Sequence, residues 1–383
     1  MAATSGKDSP EVESLRDLDA VIASGRPLTG LRLQDLDLTA YEDVFLGRTD
    51  LEGLVVLGGR LPPALDTHLR MHHALVFPTD PSCPVNPYRA SLYEPHELYA
   101  GLADQGYEAT PDYRAYEWSR DTTFHRDALA TLLRAIHDDS VTDALTELLG
   151  DRMVVGVMGG HALVRGSAPY ADAARLGRTL AAAGLVVATG GGPGAMEAAN
   201  LGAFATGEGQ LDTALERLAD VPSFRPDVRA WALVALQVRQ EVGRARRCSE
   251  VTSVGIPTWF YGHEPPNVFT DGIGKYFSNA VREDGLLSRS NAGVVVLEGA
   301  AGTVQEIFQA VTPLFYAEAD ATLSPLVLVG RQYWTTAVPV WDVVQALGRD
   351  RLLGPAVHLV DSVAEAAEVV TSALPSNPAH VGR

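Results

Sequence analysis

From Met153 onward the chain alternates short apolar runs with amphipathic stretches. Met153–Met158, Leu185–Ala188, Gly293–Leu297, Leu326–Val329 and Val357–Val360 are compact apolar runs. Short apolar runs bounded by glycine or polar residues read as buried strands. Between them, Pro169–Ala183, Ala195–Phe204, Thr303–Phe315, Thr335–Leu347 and Val363–Leu374 carry their apolar residues at helical spacing. Strands alternating with helices predict a parallel sheet with right-handed crossovers, a Rossmann-like α/β fold with helices on both faces. Ligands of such sheets bind beyond the carboxyl ends of the strands. Gly207–Cys248 reads as a mostly helical insertion, and Asp271–Leu287 as one further helix.

The pattern before Met153 is less regular. Leu31, Leu33, Leu36 and Leu38, then Leu51, Leu54, Val56 and Leu57, suggest short strands or a small solenoid-like coil. Two such pieces are too few to define a repeat architecture. Phe77–Pro95 is rich in proline and tyrosine and reads as loop. Asp127–Leu149 returns to helical periodicity through Leu129, Leu132, Leu133, Ile136, Val141, Leu145 and Leu148. The expected organisation is a disordered tail at 1–11, a smaller N-terminal α/β domain at 12–136 and a connecting helix at 137–150. A ligand-binding domain at 151–375 and a tail at 376–383 complete it.

Composition narrows the function classes. Of 383 residues, 46% are hydrophobic and 20% charged, the balance of a globular protein. No apolar run reaches membrane-spanning length, and the polar start Met1–Ser14 is neither a secretory signal nor a transit peptide. The two cysteines, Cys83 and Cys248, lie far apart, which suits a reducing cytoplasm. A formal net charge of −18 disfavours nucleic acid and anionic membrane as partners. A phosphorylated ligand would need a local positive site made of backbone N–H groups, helix N-termini and a few cations. Lysine occurs only at positions 7 and 275, so nearly all positive charge is arginine.

Two glycine-rich loops sit where the expected sheet would place a ligand. Gly190, Gly191, Gly192, Pro193 and Gly194 leave a strand and open a helix. Glycine permits positive φ and close approach of backbone to an anion, and the helix start offers free N–H groups. This is no dinucleotide fingerprint, because the loop follows the second strand, while the first ends in Gly159-Gly160-His161 without the required spacing. No Gly-Lys-Ser/Thr follows, so it is not a P-loop. The second loop reads Glu298-Gly299-Ala300-Ala301-Gly302-Thr303-Val304-Gln305-Glu306. By spacing alone, Thr303 and Glu306 form a capping box; the sharper reading gives Glu306 to chemistry.

Lys275, Asn279 and Arg282 would share one stripe of the helix expected at Asp271–Leu287, either as a solvated polar face or as contacts to an anionic or carbohydrate ligand. Pro257–Asn267 is dense in aromatics and prolines; it could stack on a base or pack as a structural loop. His263 and Glu264 lack the partners of a zinc site, so no metal is expected.

At the two loops the sequence resembles the LOG family of lysine-decarboxylase-like proteins. The hallmark of that family, P-G-G-x-G-T-x-x-E, aligns with Glu298–Glu306, with Glu298 at the proline and Ala300 at the second glycine. The earlier loop, Gly190–Met196 continuing as Glu197-Ala198, is closest to the bacterial branch of pyrimidine/purine nucleotide 5′-monophosphate nucleosidases. Trp259–Asn267 and Tyr276–Leu287 look like the same branch. The resemblance spans roughly Arg152 to Val370. It implies hydrolysis of the N-glycosidic bond of a nucleoside 5′-monophosphate to free base and ribose 5-phosphate, without cofactor or metal. It implies a homo-oligomer, dimer or larger. It assigns Glu306 and Arg282 to catalysis. The phosphate and nucleotide would be held by Gly190, Gly191, Gly192, Gly194, Met196, Gly299, Gly302 and Thr303, with Lys275 and Asn279 contributing.

The main alternative is a nucleotide-sensing protein that binds without cleaving. A pyridoxal-phosphate decarboxylase would need a Schiff-base lysine, for which only Lys275 is available. An NAD-dependent dehydrogenase fails on the fingerprint.

Overall fold

The computed structural model describes residues 11–123, 127–243, 250–260, 264–318 and 320–374. The chain divides into two compact units, Met1–Leu92 with Thr122–Leu145, and Tyr93–Asp121 with Thr146–Arg383.

The first unit holds β1 (Glu11–Val12), β2 (Arg32–Gln34), β3 (Val55–Leu57) and β4 (Leu75–Phe77). They form a parallel sheet in consecutive order, with Glu11, Arg32, Val55 and Leu75 in register. Each coil thus advances by about 20 residues, the period of a small solenoid in which one turn covers the apolar face of the last. The two leucine-rich pieces read from the sequence are the middle coils. Leu31, Leu33, Leu51, Leu54 and Val56 point inward with Leu18, Phe45 and Leu65 from the helical connections. The other coils escape the eye because β1 and β4 bring few leucines. The helix at Asp127–Leu149 appears as Ala128–Leu149. The tail expected at 1–11 lies outside the described residues except for Glu11, which pairs in β1; the tail at 376–383 lies wholly outside them.

The second unit is the Rossmann-like α/β fold. Its strands are β5 (Val154–Met158), β6 (Val186–Thr189), β7 (Ser253–Gly255), β8 (Gly272–Ile273), β9 (Gly293–Val296), β10 (Leu326–Val329) and β11 (Val357–Val360). All neighbours are parallel in the order β11-β10-β9-β5-β6-β7-β8. β5, β6, β9 and β10 are buried along their whole length, as expected of strands covered on both faces. Half of the ten residues of the helix Ala195–Phe204 are alanine or glycine, and it sinks into the core against Ala168–Ala182. There Gly177 and Gly202 meet the backbone of Ala199 and Ala174 so closely that no Cβ fits.

Three expectations need correction. Asp271–Leu287 is not one helix: Ile273 enters the sheet in β8, Gly272 and Gly274 interrupt helical continuity, and the helix starts only at Asn279, capped by Ser278, to end at Arg289. Thr335–Leu347 is a π-helical turn, Tyr333–Ala337, followed by Trp341–Gly348, because Pro339 cannot continue the backbone ladder. Tyr93–Asp121, read as part of the N-terminal half, groups with the second unit, where Tyr93 pairs antiparallel with Ile273. Among the described residues, no helix is long and apolar enough to cross a membrane.

Candidate functional site

The order of strands locates the site. From the central β5 the chain adds β6, β7 and β8 on one side, then returns to lay β9, β10 and β11 on the other. The direction reverses between β5 and β9, and a crevice opens at that switch point beyond the strand ends. A cavity of about 650 Å³ lies there, within the roughly 300–1,000 Å³ typical of small-molecule sites. Its wall includes Gly159 and Gly160 after β5, Gly190 and Gly192 after β6, Pro257 and Thr258 after β7, Glu298–Ala300 after β9, and Tyr333 after β10. The two glycine-rich loops are therefore neighbours across one cleft.

The first loop is shaped by need for glycine. Gly191 has φ of 69°, and a Cβ there would collide with Pro257 and the Ile256 amide. Gly194 has φ of 72°, and a Cβ would press on the carbonyls of Gly160 and His161. Gly194 also caps the helix Ala195–Phe204 without a side-chain hydrogen bond, and the first helical N–H, that of Ala195, donates to Gly160 O at 3.1 Å. A buried amide network holds the loop from behind. Asn267 N–H donates to Gly191 O at 2.8 Å, and its side chain donates to Gly192 O and Asn200 Oδ1. Asn200 Oδ1 also accepts from Thr189 Oγ1 at 2.6 Å, while its Nδ2 donates to Ser253 Oγ and Val254 O. Every polar atom of the Asn200 side chain is used, which ties the strand end, the loop and β7 into one piece.

The second loop settles the question of the capping box. The helix runs Ala301–Phe315 with Ala300 as N-cap and no side-chain cap. It begins too early for Thr303 to cap it. Thr303 instead packs beneath Gly299, where a Cβ would clash with it, and Glu306 lies in the second turn, facing the cavity. There Glu306 Oε1 accepts from Arg282 Nη1 at 3.1 Å. Burial pushes the Glu306 carboxyl above its ordinary pKa, and the Arg282 guanidinium partly restores the charged form. Arg282 is oriented in turn: Nη2 donates to Asn279 Oδ1 at 3.0 Å, and Glu283 Oε1 lies 3.5 Å away. Glu283 is braced by Asn279 Nδ2 and Gln305 Nε2, both at 2.7 Å. The buried Arg282 Nε has no acceptor among the described residues.

The expected site residues thus separate. Gly190, Gly192, Met196, Arg282, Gly299, Gly302, Thr303 and Glu306 line the cavity, while Gly191 and Gly194 are outside its lining and shape the turns of the first loop. Asn279 supports Arg282 rather than facing the cavity. Lys275 is a correction. The segment after β8 is not helical, so the lysine turns inward: it is 1% exposed, with Nζ 2.6 Å from Asp112 Oδ1 and 5.4 Å from the Trp259 ring. Burial lowers its pKa while Asp112 opposes the shift. Asp112 also accepts from Tyr107 OH and Trp259 Nε1, so the aromatic loop is pinned by a buried ion pair. Trp259 is packed core against Tyr93 and Phe277, while Thr258 and Glu264 of the same loop reach the cavity; Tyr261–His263 lie outside the described residues.

Sequence reasoning missed three contributors. His161, after β5, pairs with Glu264 Oε1 at 2.9 Å, and that hydrogen bond raises the pKa of the imidazole. Tyr333 donates its hydroxyl to Gly299 O at 2.8 Å and so braces the second loop. Glu197 in the first turn of Ala195–Phe204 forms a fully buried ion pair with Arg165 and accepts from Tyr170 OH. Only the last had a local signal, an acid at a helix start; the others are brought in by topology.

Residues 152–210, which carry β5, β6 and the first glycine-rich loop, match the SLOG cluster4 family. The match supports a LOG-like Rossmann superfamily over that segment. No curated protein matches the chain. Among solved structures, the molybdenum cofactor carrier protein of Chlamydomonas reinhardtii is 18% identical, with 58% of this chain and 98% of that chain covered and a TM-score of 0.35. The molybdenum cofactor binding protein of the phototrophic bacterium Rippkaea orientalis is also 18% identical, with 58% and 96% covered and a TM-score of 0.34.

Proposed function

We propose that this chain hydrolyses the N-glycosidic bond of a nucleoside 5′-monophosphate, giving free base and ribose 5-phosphate. The observation that carries the reading is the Arg282–Glu306 pair, 3.1 Å apart, in a cavity lined by residues of both glycine-rich loops. The phosphate sits on the N–H groups of Gly192 and Gly194 in the first loop, where Pro193 has none and Gly191 already donates to Thr189 Oγ1, and of Gly302 and Thr303 in the second. Breaking the C1′–N bond develops positive charge on C1′ and the ring oxygen, and the Glu306 carboxylate stabilises that charge and orients the water whose oxygen bonds to C1′. The departing nitrogen takes up a proton, and water supplies the hydroxyl. Arg282 holds Glu306 in its charged form and offers its remaining donors to phosphate or ribose hydroxyls. The LOG-like match at the first loop supports the reading. Assembly into a dimer or larger homo-oligomer belongs to the same proposal.

The departure from the hallmark at Glu298 and Ala300 favours one second reading, binding without cleavage. A single experiment separates them. The protein is incubated with a panel of nucleoside 5′-monophosphates, free base is followed by chromatography, and thermal stabilisation is measured in parallel. Base release supports hydrolysis. Stabilisation without base release supports sensing, and neither effect rejects both.

A further inference from the structure

If the chain hydrolyses a nucleotide, as proposed above, the departing base needs a proton donor, and the wall of the same cavity holds one. A base anion is a poor leaving group, so the C1′–N bond breaks readily only when a nitrogen of the base is protonated as it departs. Glu306 acts there as a carboxylate, and Arg282 keeps its proton because a guanidinium does not titrate in proteins. Tyr333 directs its hydroxyl at Gly299 O. His161 is the one histidine among the described residues that line the cavity, and imidazole is the side chain that exchanges a proton near neutral pH.

Its surroundings suit that task. Strand order puts β5 between β9 and β6, so the loop carrying His161 stands between the loop leading to Glu306 and the first glycine-rich loop. Nδ1 lies 2.9 Å from Glu264 Oε1, and the side chain is 53% exposed. Nε2 has no hydrogen-bond partner among the described residues. A carboxylate that holds Nδ1–H leaves Nε2 as the nitrogen that can give up its proton to a ligand. Glu264 reaches His161 from the loop after β7, and Arg225 lies in the stretch beyond the helix Glu208–Leu218. Arg282, Glu298 and Glu306 are the other charged groups on the cavity wall. The Glu264 hydrogen bond raises the imidazole pKa, while burial and Arg225 oppose it. Glu264 also bears on the titration of Glu306, so the pair and that carboxylate share one electrostatic environment.

We propose that His161 is the general acid of the reaction, its Nε2–H protonating the nitrogen of the departing base, with Glu264 as its positioning residue. The C1′–N bond breaks with both electrons going to the base, whose nitrogen takes the imidazolium proton. Water forms the C1′–O bond and yields one proton to the Glu306 carboxylate. Exchange with solvent returns a proton to His161 and removes one from Glu306, so the sum is hydrolysis, with nothing oxidised or reduced.

Two substrates test this on the full chain. One is whichever of AMP, GMP, CMP and UMP releases base fastest. The other is p-nitrophenyl β-D-ribofuranoside 5-phosphate, whose nitrophenolate leaves without a proton. His161→Gln is expected to lower kcat about 100-fold for the nucleotide and less than about fivefold for the nitrophenyl compound. Wild-type kcat should fall as pH rises through the imidazole pKa. His161→Gln should lose that basic limb, and Glu264→Gln should move it to lower pH. Equal losses on both substrates, nucleotide turnover left intact in His161→Gln, or a basic limb that survives in it overturns the proposal and leaves the hydrolytic reading standing. Should the wild type not cleave the nitrophenyl compound, the fate of the basic limb decides alone. A wild type that releases base from none of the four nucleotides overturns both.

Discussion

Arg282 Nη1 stands 3.1 Å from Glu306 Oε1 and joins the helix Asn279–Arg289 to the helix Ala301–Phe315 across the mouth of the sheet. Both side chains are largely buried, at 8% and 12% exposed, so the charges act in a medium of low polarity. If Glu306 stabilises developing charge at C1′, Glu306→Gln should lower kcat at least ~100-fold while the Kd for nucleotide stays within about threefold. Steady-state kinetics with parallel calorimetry checks this. A variant with near-normal kcat removes Glu306 from the chemistry.

The pH dependence follows from the same carboxyl. Its pKa is raised in the folded state, chiefly by burial. The folded protein therefore binds this proton more tightly than the unfolded chain, and the stability linked to it is lost as pH rises through the raised pKa. Activity runs the other way, because the working form is the carboxylate. The acid limb of kcat against pH should begin at a higher pH than an ordinary glutamate gives, and Glu306→Gln should abolish that limb.

Asn200 and Asn267 sit behind the glycine loop and touch nothing in the cavity. Asn267→Ala removes two side-chain donations and leaves Gly192 O and Asn200 Oδ1 short of a partner. It should cost about 1–3 kcal/mol in urea unfolding and weaken nucleotide binding at least fivefold by loosening the loop. Normal affinity in a destabilised variant would show that the network supports the fold alone.

The Asp112–Lys275 pair is fully enclosed, at 0% and 1% exposed. Removing one partner strands the other charge, so Lys275→Met should destabilise by about 3–5 kcal/mol. In Asp112→Asn/Lys275→Met the stranded charge is gone, and part of that loss should return. Urea unfolding of the single and double variants measures the difference. Nucleotide affinity at a temperature where the variants are folded should change little, since Lys275 lies outside the cavity.

Gly194 makes its turn at φ of 72° under the carbonyls of Gly160 and His161. Gly194→Ala adds both strain and collision, and should reduce nucleotide affinity more than tenfold with smaller loss of thermal stability. Equal affinity would place the anion elsewhere.

Five strands of the second unit, β5, β6, β9, β10 and β11, and the helix Ala195–Phe204 were legible because their signals are local: apolar runs, helical spacing and glycine at the strand-to-helix turns; β7 and β8 are too short to show one. So was the convergence of two glycine-rich loops, since parallel strands send all their carboxyl ends to one edge. Three matters were beyond local pattern. Thr303-x-x-Glu306 has the spacing of a capping box, and only the actual start of the helix at Ala301 freed Glu306. Lys275 shares a helical stripe with Arg282 on paper, but Ile273 is drawn into the sheet edge and the lysine is buried against Asp112, 163 positions away. Glu264 meets His161 only because β5 and β7 flank β6. Local sequence determines which segments extend or coil; which side chains share a cavity depends on strand order and helix phase, and those are settled when the whole sheet closes its core.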